Sequence, residues 1–232
     1  TLAVNPVDEG SQGTYALAIN PTTNQIWVAN YLSNTVSLIN GAYFAYGYYQ
    51  ATVQAVIPIS AGPQCIAVNT QTNMCYVGCA SGDIVQIDGT PDSTGAYNIT
   101  TVPGVLSDPV SIAISQVTNQ VAFGNSGNFT VTIANGDDVS QTVTTTVISP
   151  VAIAADTGTG LFWIASEISD AVNYVGYDFA SPNVWTLGSI ATGSLPASVG
   201  FDPATDTVYV LNIGSGTVTV IDSETQTFTK TI

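Results

Sequence analysis

The sequence predicts an all-β protein made of five similar four-stranded units, and three observations support this fold class. Five segments repeat one pattern, in which an Ala/Val/Ile strand, an aromatic-rich strand and a Thr/Val strand are joined by short turns. The residues that precede the segments are spaced 49, 46, 41 and 46 apart, at Thr14, Pro63, Pro109, Pro150 and Pro196. Short β-branched stretches bounded by Gly, Pro, Asn and Asp occur throughout, without helical periodicity. Together these features are typical of a five-bladed β-propeller with four antiparallel strands per blade.

The repeat itself supplies the first three strands of each unit, beginning with YALAINPTTNQIWVANYLSNTVSLING from Tyr15. A proline suits the first position of a strand, because its missing N–H does least harm there. A further alternating stretch follows each triplet and predicts the fourth strand. We place these fourth strands at residues 51–60, 98–105, 141–148, 183–190 and 227–232.

The repeat resembles the YVTN-type β-propeller repeat. Residues 16–30 read ALAINPTTNQIWVAN and residues 34–41 read NTVSLING, close to that family's AIAVNPxTNKIYVAN and SNTVSVIDG. The resemblance covers all five segments, and it implies a β-propeller that is secreted or exposed at the cell surface. It brings no catalytic residues with it. The chain departs from the family in having five repeats, where seven-bladed rings are common, and in lacking the usual Lys of the first turn.

The charge balance excludes several classes of function. The chain has 16 Asp and Glu residues, no His, and a net charge of -15, with Lys230 as its only cation. It cannot neutralise nucleic-acid phosphates. Without His, it also has no Ser-His-Asp or Cys-His catalytic arrangement and no His-built zinc site. The acids fall mostly in turns, where Asp favours local hydrogen bonding. We therefore expect no enzymatic activity, catalytic residue, metal or cofactor.

The surface composition favours an extracellular or cell-surface location. Only 7% of the residues are charged, and Thr, Ser, Asn and Gln take their place. No apolar run is long enough to span a bilayer. The sequence begins at Thr1 rather than Met, from which we expect a removed signal peptide or an internal start. Two glycosylation sequons, at Asn98 and Asn128, could then carry glycans, and chance occurrence in a Thr-rich chain is the alternative.

Three cysteines, Cys65, Cys75 and Cys79, fall on two neighbouring predicted strands. Cys75 and Cys79 lie about 13 Å apart along one strand, which is too far for a bridge. We therefore expect a Cys65–Cys79 disulfide, with three small buried thiols as the alternative.

The sequence offers six candidates for five outermost strands. Residues 1–13 form an N-terminal strand and connector ahead of a propeller at 14–232, and Thr1–Val7 looks like an outermost strand, as does Thr227–Ile232. The surplus strand could close the ring, pair with the edge of another subunit, or belong to a longer array. The expected interface residues at the two ends are Thr1, Leu2, Val4, Val7, Phe228, Lys230 and Ile232.

An aromatic insertion follows the first repeat, and its expected contact residues are Tyr43, Phe44, Tyr46, Tyr48 and Tyr49. Aromatic side chains concentrate at interfaces, which predicts a subunit contact or a carbohydrate-binding platform, with a rim loop on its own blade as the alternative.

The expected function is a non-enzymatic extracellular structural subunit. It would polymerise head to tail with itself, by β-strand addition and aromatic contacts, into a filament or surface layer. The alternative is an adhesin-like propeller that binds glycans or other surface proteins.

Overall fold

The computed structural model describes residues 13–45, 48–181 and 184–232, and it leaves the side chains of residues 42–50 undescribed. The described chain is all-β, with five four-stranded antiparallel sheets, each built from four consecutive strands. It divides into two compact units, Thr1–Leu106 with the first two sheets and Ser107–Ile232 with the other three.

The first unit contains β1 (Thr14–Asn20), β2 (Gln25–Asn30), β3 (Thr35–Ala45), β4 (Tyr48–Pro58), β5 (Pro63–Asn69), β6 (Met74–Cys79), β7 (Ile84–Asp88) and β8 (Ile99–Val102). The second unit contains β9 (Pro109–Ser115), β10 (Gln120–Asn125), β11 (Thr130–Asn135), β12 (Thr142–Thr146), β13 (Pro150–Ala155), β14 (Phe162–Ser166), β15 (Ala171–Tyr177), β16 (Trp185–Ala191), β17 (Pro196–Asp202), β18 (Thr207–Asn212), β19 (Thr217–Asp222) and β20 (Thr227–Thr231). A 3-10 turn, Glu167–Ser169, joins β14 to β15.

All five predicted fourth strands are present, with small shifts at their ends. The largest change is at the aromatic insertion, where the backbone continues the β3–β4 hairpin instead of leaving it as a loop. Both strands are 11 residues long, and their register runs on to the pair Ala45↔Tyr48.

Each sheet has two faces, which we name by position in the repeat. Face A of the first sheet carries Leu17 and Ile19, and face B carries Trp27 and Ala29. The register equates these with the matching pairs of every other sheet. In the first unit, the core forms where face B of the first sheet packs on face A of the second, which carries Ile66 and Val68.

The second unit repeats this arrangement twice. Face B of the third sheet packs on face A of the fourth, whose Phe162 and Ile164 are fully buried. Face B of the fourth sheet then brings Trp163 against Val208 and Val210 on face A of the fifth. Both faces of the fourth sheet are therefore covered within this unit, and all five residues of its strand β14 are buried.

The turn between the first two strands has the same form in all five sheets. A left-handed residue ends each turn, namely Asn24, Asn73, Asn119, Gly160 and Asp206. Asn and Gly tolerate this conformation better than other residues do. In the first and fourth sheets, the side chain that opens this turn accepts a backbone N–H two residues later, at 3.0 Å for Asn20 and 2.7 Å for Asp156. The repeated Asn and Asp residues therefore fix the turn geometry.

Candidate functional site

The interface residues expected near the N-terminus and in the aromatic insertion are only partly described. Thr1, Leu2, Val4, Val7 and Tyr46 lie outside the described residues. The backbone of Tyr43, Phe44, Tyr48 and Tyr49 belongs to the β3–β4 hairpin, with Phe44 paired to Tyr49. The insertion therefore lengthens the hairpin at the outer side of the first sheet.

The C-terminal strand occupies the fourth position of its own sheet. Phe228 pairs with Ile221 and Lys230 pairs with Val220 across the β19–β20 ladder. Ile232 exchanges two backbone hydrogen bonds with Val218, at 2.8 and 2.9 Å. This strand therefore fills the outermost position of the fifth sheet. Thr1–Val7, which lies outside the described residues, is left as the candidate for the surplus strand.

The outermost strands of the described sheets form open edges with very little charge. β4, β8, β12, β16 and β20 each pair with another described strand on one side only. These five strands hold a single charged residue, Lys230. All five residues of β20 are exposed. Charged side chains on an edge strand normally oppose pairing with another chain, and this protection is nearly absent here.

Two sheet faces are also uncovered. On face A of the first sheet, Leu17 and Ile19 are 63% and 55% exposed, and Tyr15 beside them is 64% exposed. On face B of the fifth sheet, Tyr209 and Leu211 are 40% and 47% exposed. Sequence reasoning missed both faces, because these residues match the pattern of the buried positions in other repeats. The one sequence signal for their exposure was that these residues belong to the first and the last repeat.

The expected Cys65–Cys79 disulfide is not formed in the structure. Cys65, Cys75 and Cys79 are free and buried. The antiparallel register places Pro63 opposite Cys79 and Gly78 opposite Cys65, so the two cysteines are not a directly opposed pair. Burial raises the pKa of both the Cys65 and the Cys79 thiol to about 12. The sites therefore hold neutral, unreactive thiols at neutral pH, which was the alternative interpretation of the sequence.

Both glycosylation sequons lie on the surface. Asn98 is exposed just before β8, and Asn128 is exposed in the turn between β10 and β11. The Thr130 hydroxyl donates a 2.7 Å hydrogen bond to the Asn128 side-chain oxygen within the second sequon. Glycosylation of either asparagine stays a prediction.

A polar cavity of about 560 Å³ opens in the second unit, between the end of β11 and the segment after β15. Its lining combines carboxylate, amide and aromatic side chains, including Asp137, Gln141, Tyr177, Asp178 and Phe179. The Tyr177 and Phe179 rings meet edge to face, with centroids 4.9 Å apart. Among the residues that the structure describes, no cluster of three or more Cys, Asp or Glu side chains could hold a metal ion.

In the part of the chain that the structure covers, no helix has the length and apolar character needed to cross a bilayer.

Comparison with known proteins identifies the fold and nothing finer. No protein-family model matches the chain, and no curated protein matches its sequence. A functionally unknown protein from Desulfotomaculum acetoxidans is 18% identical with a TM-score of 0.71, over 94% of this chain and 69% of that one. A protein named as a candidate 6-phosphogluconolactonase from Bacteroides uniformis is 15% identical with a TM-score of 0.70, over 93% and 69% of the two chains.

A chain of the nidogen/laminin complex is 12% identical with a TM-score of 0.61, over 96% of this chain and 80% of that one. In all, 1079 solved chains match, so the likeness identifies a widespread architecture rather than an activity. The protein has a β-propeller-like all-β fold. Membership of the YVTN-type family stays a prediction.

Proposed function

We propose that this protein is a non-enzymatic, extracellular structural subunit that assembles with copies of itself into a filament or surface layer. Strand addition at an open sheet edge is the contact expected from the sequence. The observation that carries the proposal is the near absence of charge on the five outermost strands, with Lys230 as the single exception.

Strand addition needs an open acceptor edge and a free donor strand. The acceptor edges are present in the described sheets, and β12 and β20 are rich in Thr, a residue suited to strands. The donor predicted from the sequence is Thr1–Val7, since β20 already fills the outer position of its own sheet. A donor strand and an acceptor edge are different parts of the chain, so the contact between them is heterologous and can propagate from copy to copy.

The finer features of the fold belong to this proposal. The sheet-on-sheet contacts within each unit and the similar solved structures support blades of a propeller. Closure of five blades into a ring, and the YVTN-type family, are predictions of the repeat. The absence of His from the sequence supports a non-enzymatic role.

Size-exclusion chromatography with light scattering, together with negative-stain imaging, tests the proposal on the full chain. We expect particles much larger than one subunit, and we expect deletion of Thr1–Val7 to give monomers. A triple variant, Thr101→Lys, Thr146→Lys and Thr229→Lys, places charges on three exposed outer-strand positions and should also give monomers.

The control is Thr90→Lys, Thr118→Lys and Thr157→Lys, which adds the same charge at exposed turn positions. It should assemble like the parent chain. Parent protein that stays monomeric at every concentration, or an edge variant that assembles normally, would contradict the proposal.

A second candidate function, adhesin-like binding of neutral glycans, is favoured by the polar cavity beside Tyr177 and Phe179. Its amides and carboxylates can bind hydroxyl groups, and its aromatic rings can contact the apolar side of a sugar. Glycan-array binding that is lost in Gln141→Ala, with particle size unchanged, would support this function. No binding by the parent chain would eliminate it.

A further inference from the structure

We infer that Asp156 and Asp206 bind a calcium ion between the fourth and fifth sheets. Both residues belong to the second compact unit, Ser107–Ile232. The inference goes beyond the proposed function and does not rest on it, because the site joins two sheets of one chain and needs no second copy. It departs from the expectation, based on the sequence, that the chain holds no metal.

The two carboxylates occupy repeat positions that meet where one sheet packs on the next. One position lies at the end of the first strand, and the other is the left-handed residue that ends the first turn of the next sheet. Between the first two sheets, Asn20 Nδ2 donates a 2.7 Å hydrogen bond to Asn73 Oδ1 across these positions. Between the third and fourth sheets, a Cβ added at Gly160 would lie 3.7 Å from Ser115 Oγ.

In the fourth and fifth sheets the same two positions hold Asp156 and Asp206. Asp156 Oδ1 accepts two backbone N–H groups of its own turn, at 2.7 and 3.0 Å, as Asn20 Oδ1 does at 3.0 and 3.4 Å. Asp156 Oδ2 therefore stands where the first sheet has the Asn20 Nδ2 donor. A Cβ added at Gly158 would lie 3.3 Å from Asp156 Oδ1 and 3.5 Å from Asp206 Oδ1, so both carboxylates border the same small space.

The burial of Asp156 is the independent observation that points to a ligand. Its side chain is 0% exposed, and its Oδ2 atom has no hydrogen-bond partner among the residues that the structure describes. A buried carboxylate is costly unless it is paired with a positive charge or coordinates a metal ion. Side chains offer almost no such charge, because Lys230 is the only basic residue of the chain. Asp206 is exposed, which gives an ion beside it access from solvent.

Calcium is the cation that this arrangement fits. Two carboxylates neutralise one divalent cation, and Ca²⁺ binds oxygen atoms in less regular geometry than Mg²⁺ requires. Ca²⁺ takes about six to eight oxygen ligands, so turn carbonyl groups and water molecules would complete the set. The described residues bring no third acidic side chain to the pair, so we expect weak binding, with a Kd of about 0.1–1 mM. The bound ion would link the end of β13 to the turn between β17 and β18.

Thermal unfolding of the dilute full chain, in EDTA and in CaCl₂, tests the site. We expect about 10 mM CaCl₂ to raise the Tm of the parent by about 3–10 °C, because a ligand that binds only the folded state stabilises it. Asp156→Asn should lose this shift. In EDTA its Tm should exceed that of the parent, because the new Nδ2 donates to Asp206 as Asn20 donates to Asn73.

A second variant and a matched control make the result specific to this pair. Asp206→Asn changes an exposed residue, and it should fold and lose most of the calcium-induced shift. Asp138→Asn removes the same charge from an exposed turn of the same unit and should keep the full shift. Isothermal titration calorimetry should give one bound calcium ion for the parent and for this control.

Three outcomes would overturn the inference. The first is a parent whose Tm does not respond to calcium. The second is a shift of equal size in the parent, Asp156→Asn and Asp206→Asn, because calcium would then act elsewhere on the chain. The third is a parent that acid stabilises in EDTA and calcium does not, because the two carboxyl groups would then share a proton.

Discussion

The fourth and fifth sheets place a large aromatic side chain at the same point of the repeat, with opposite outcomes. Trp163 is fully buried, whereas Tyr209 is 40% exposed. Both lie on the second strand of their sheet, opposite a small residue of the first strand. The difference arises from the neighbour, since the fifth sheet covers Trp163 and no described sheet covers Tyr209. In a repeat protein, the place of a repeat in the array determines the environment of a side chain as much as its type does.

The largest expected effect comes from truncating these two aromatics. Trp163→Ala removes a side chain that packs against Val208 and Val210, and it should lower the free energy of unfolding by about 3–5 kcal/mol. Tyr209→Ala removes mostly exposed surface and should cost less than about 1 kcal/mol. Urea unfolding of dilute protein, followed by circular dichroism, measures both. Equal costs would show that Tyr209 is covered in the isolated subunit.

The same comparison at the other end of the array uses aliphatic residues. Ile66→Ala opens a cavity between the first two sheets and should cost about 2–5 kcal/mol. Leu17→Ala, at the matching exposed position, should change the free energy of unfolding by about 0.5 kcal/mol or less in dilute protein. If Leu17→Ala also reduces particle size at high concentration, the apolar face contributes to assembly. A strongly destabilised Leu17→Ala would mean that this face is buried in the monomer.

The free energy that a contact inside a single sheet contributes should not depend on the position of that sheet in the array. The buried Asn125 side chain in the third sheet donates hydrogen bonds to Thr130 and Thr132, at 3.1 and 3.0 Å. In the fifth sheet, Asn212 donates equivalent bonds to Thr217 and Thr219, at 3.2 and 2.9 Å. Asn125→Ala and Asn212→Ala should therefore each cost about 1–3 kcal/mol in urea unfolding. A much smaller loss in the fifth sheet would mean that the uncovered face weakens the whole sheet.

The smallest expected effect on stability at neutral pH comes from the buried thiols of the second sheet. Burial holds the pKa of Cys65 and Cys79 near 12 in the folded state, above the ordinary value of 9.0, so the native protein keeps their protons up to higher pH than the unfolded chain does. Stability should be unchanged below pH 9 and should fall as pH rises from 9 to 12. Thiol titration at pH 8 should detect the cysteines only after unfolding. Fast labelling of folded protein would contradict their burial.

Much of the fold was predictable because the repeat marks its own boundaries. The prolines at 63, 109, 150 and 196 each begin a strand, and each predicted fourth strand was found. Strand ends were less accurate, and the β3–β4 hairpin was longer than expected. Its extension depends on cross-strand pairing of Tyr43–Gln50, which no local pattern in that segment indicated.

The candidate surfaces were only partly predictable. The weakly charged edges follow directly from composition, but the exposure of Leu17 and Tyr209 does not. Their residue types are typical of buried positions. Their exposure depends on whether a neighbouring sheet covers them, which residue type does not indicate. The Cys65–Cys79 bridge was wrong because a spacing along the chain does not give the register between strands, which sets Gly78 opposite Cys65.

The single lysine gives this molecule an unusual proteolytic profile. An enzyme that cuts only after Lys or Arg finds one susceptible bond in the whole sequence, between Lys230 and Thr231. Digestion by trypsin therefore leaves residues 1–230 uncut, even in denatured protein. A dye that reacts with lysine side chains would mark the same place, on the outermost strand of the last sheet. One natural residue thus provides a labelling position on an exposed outermost strand.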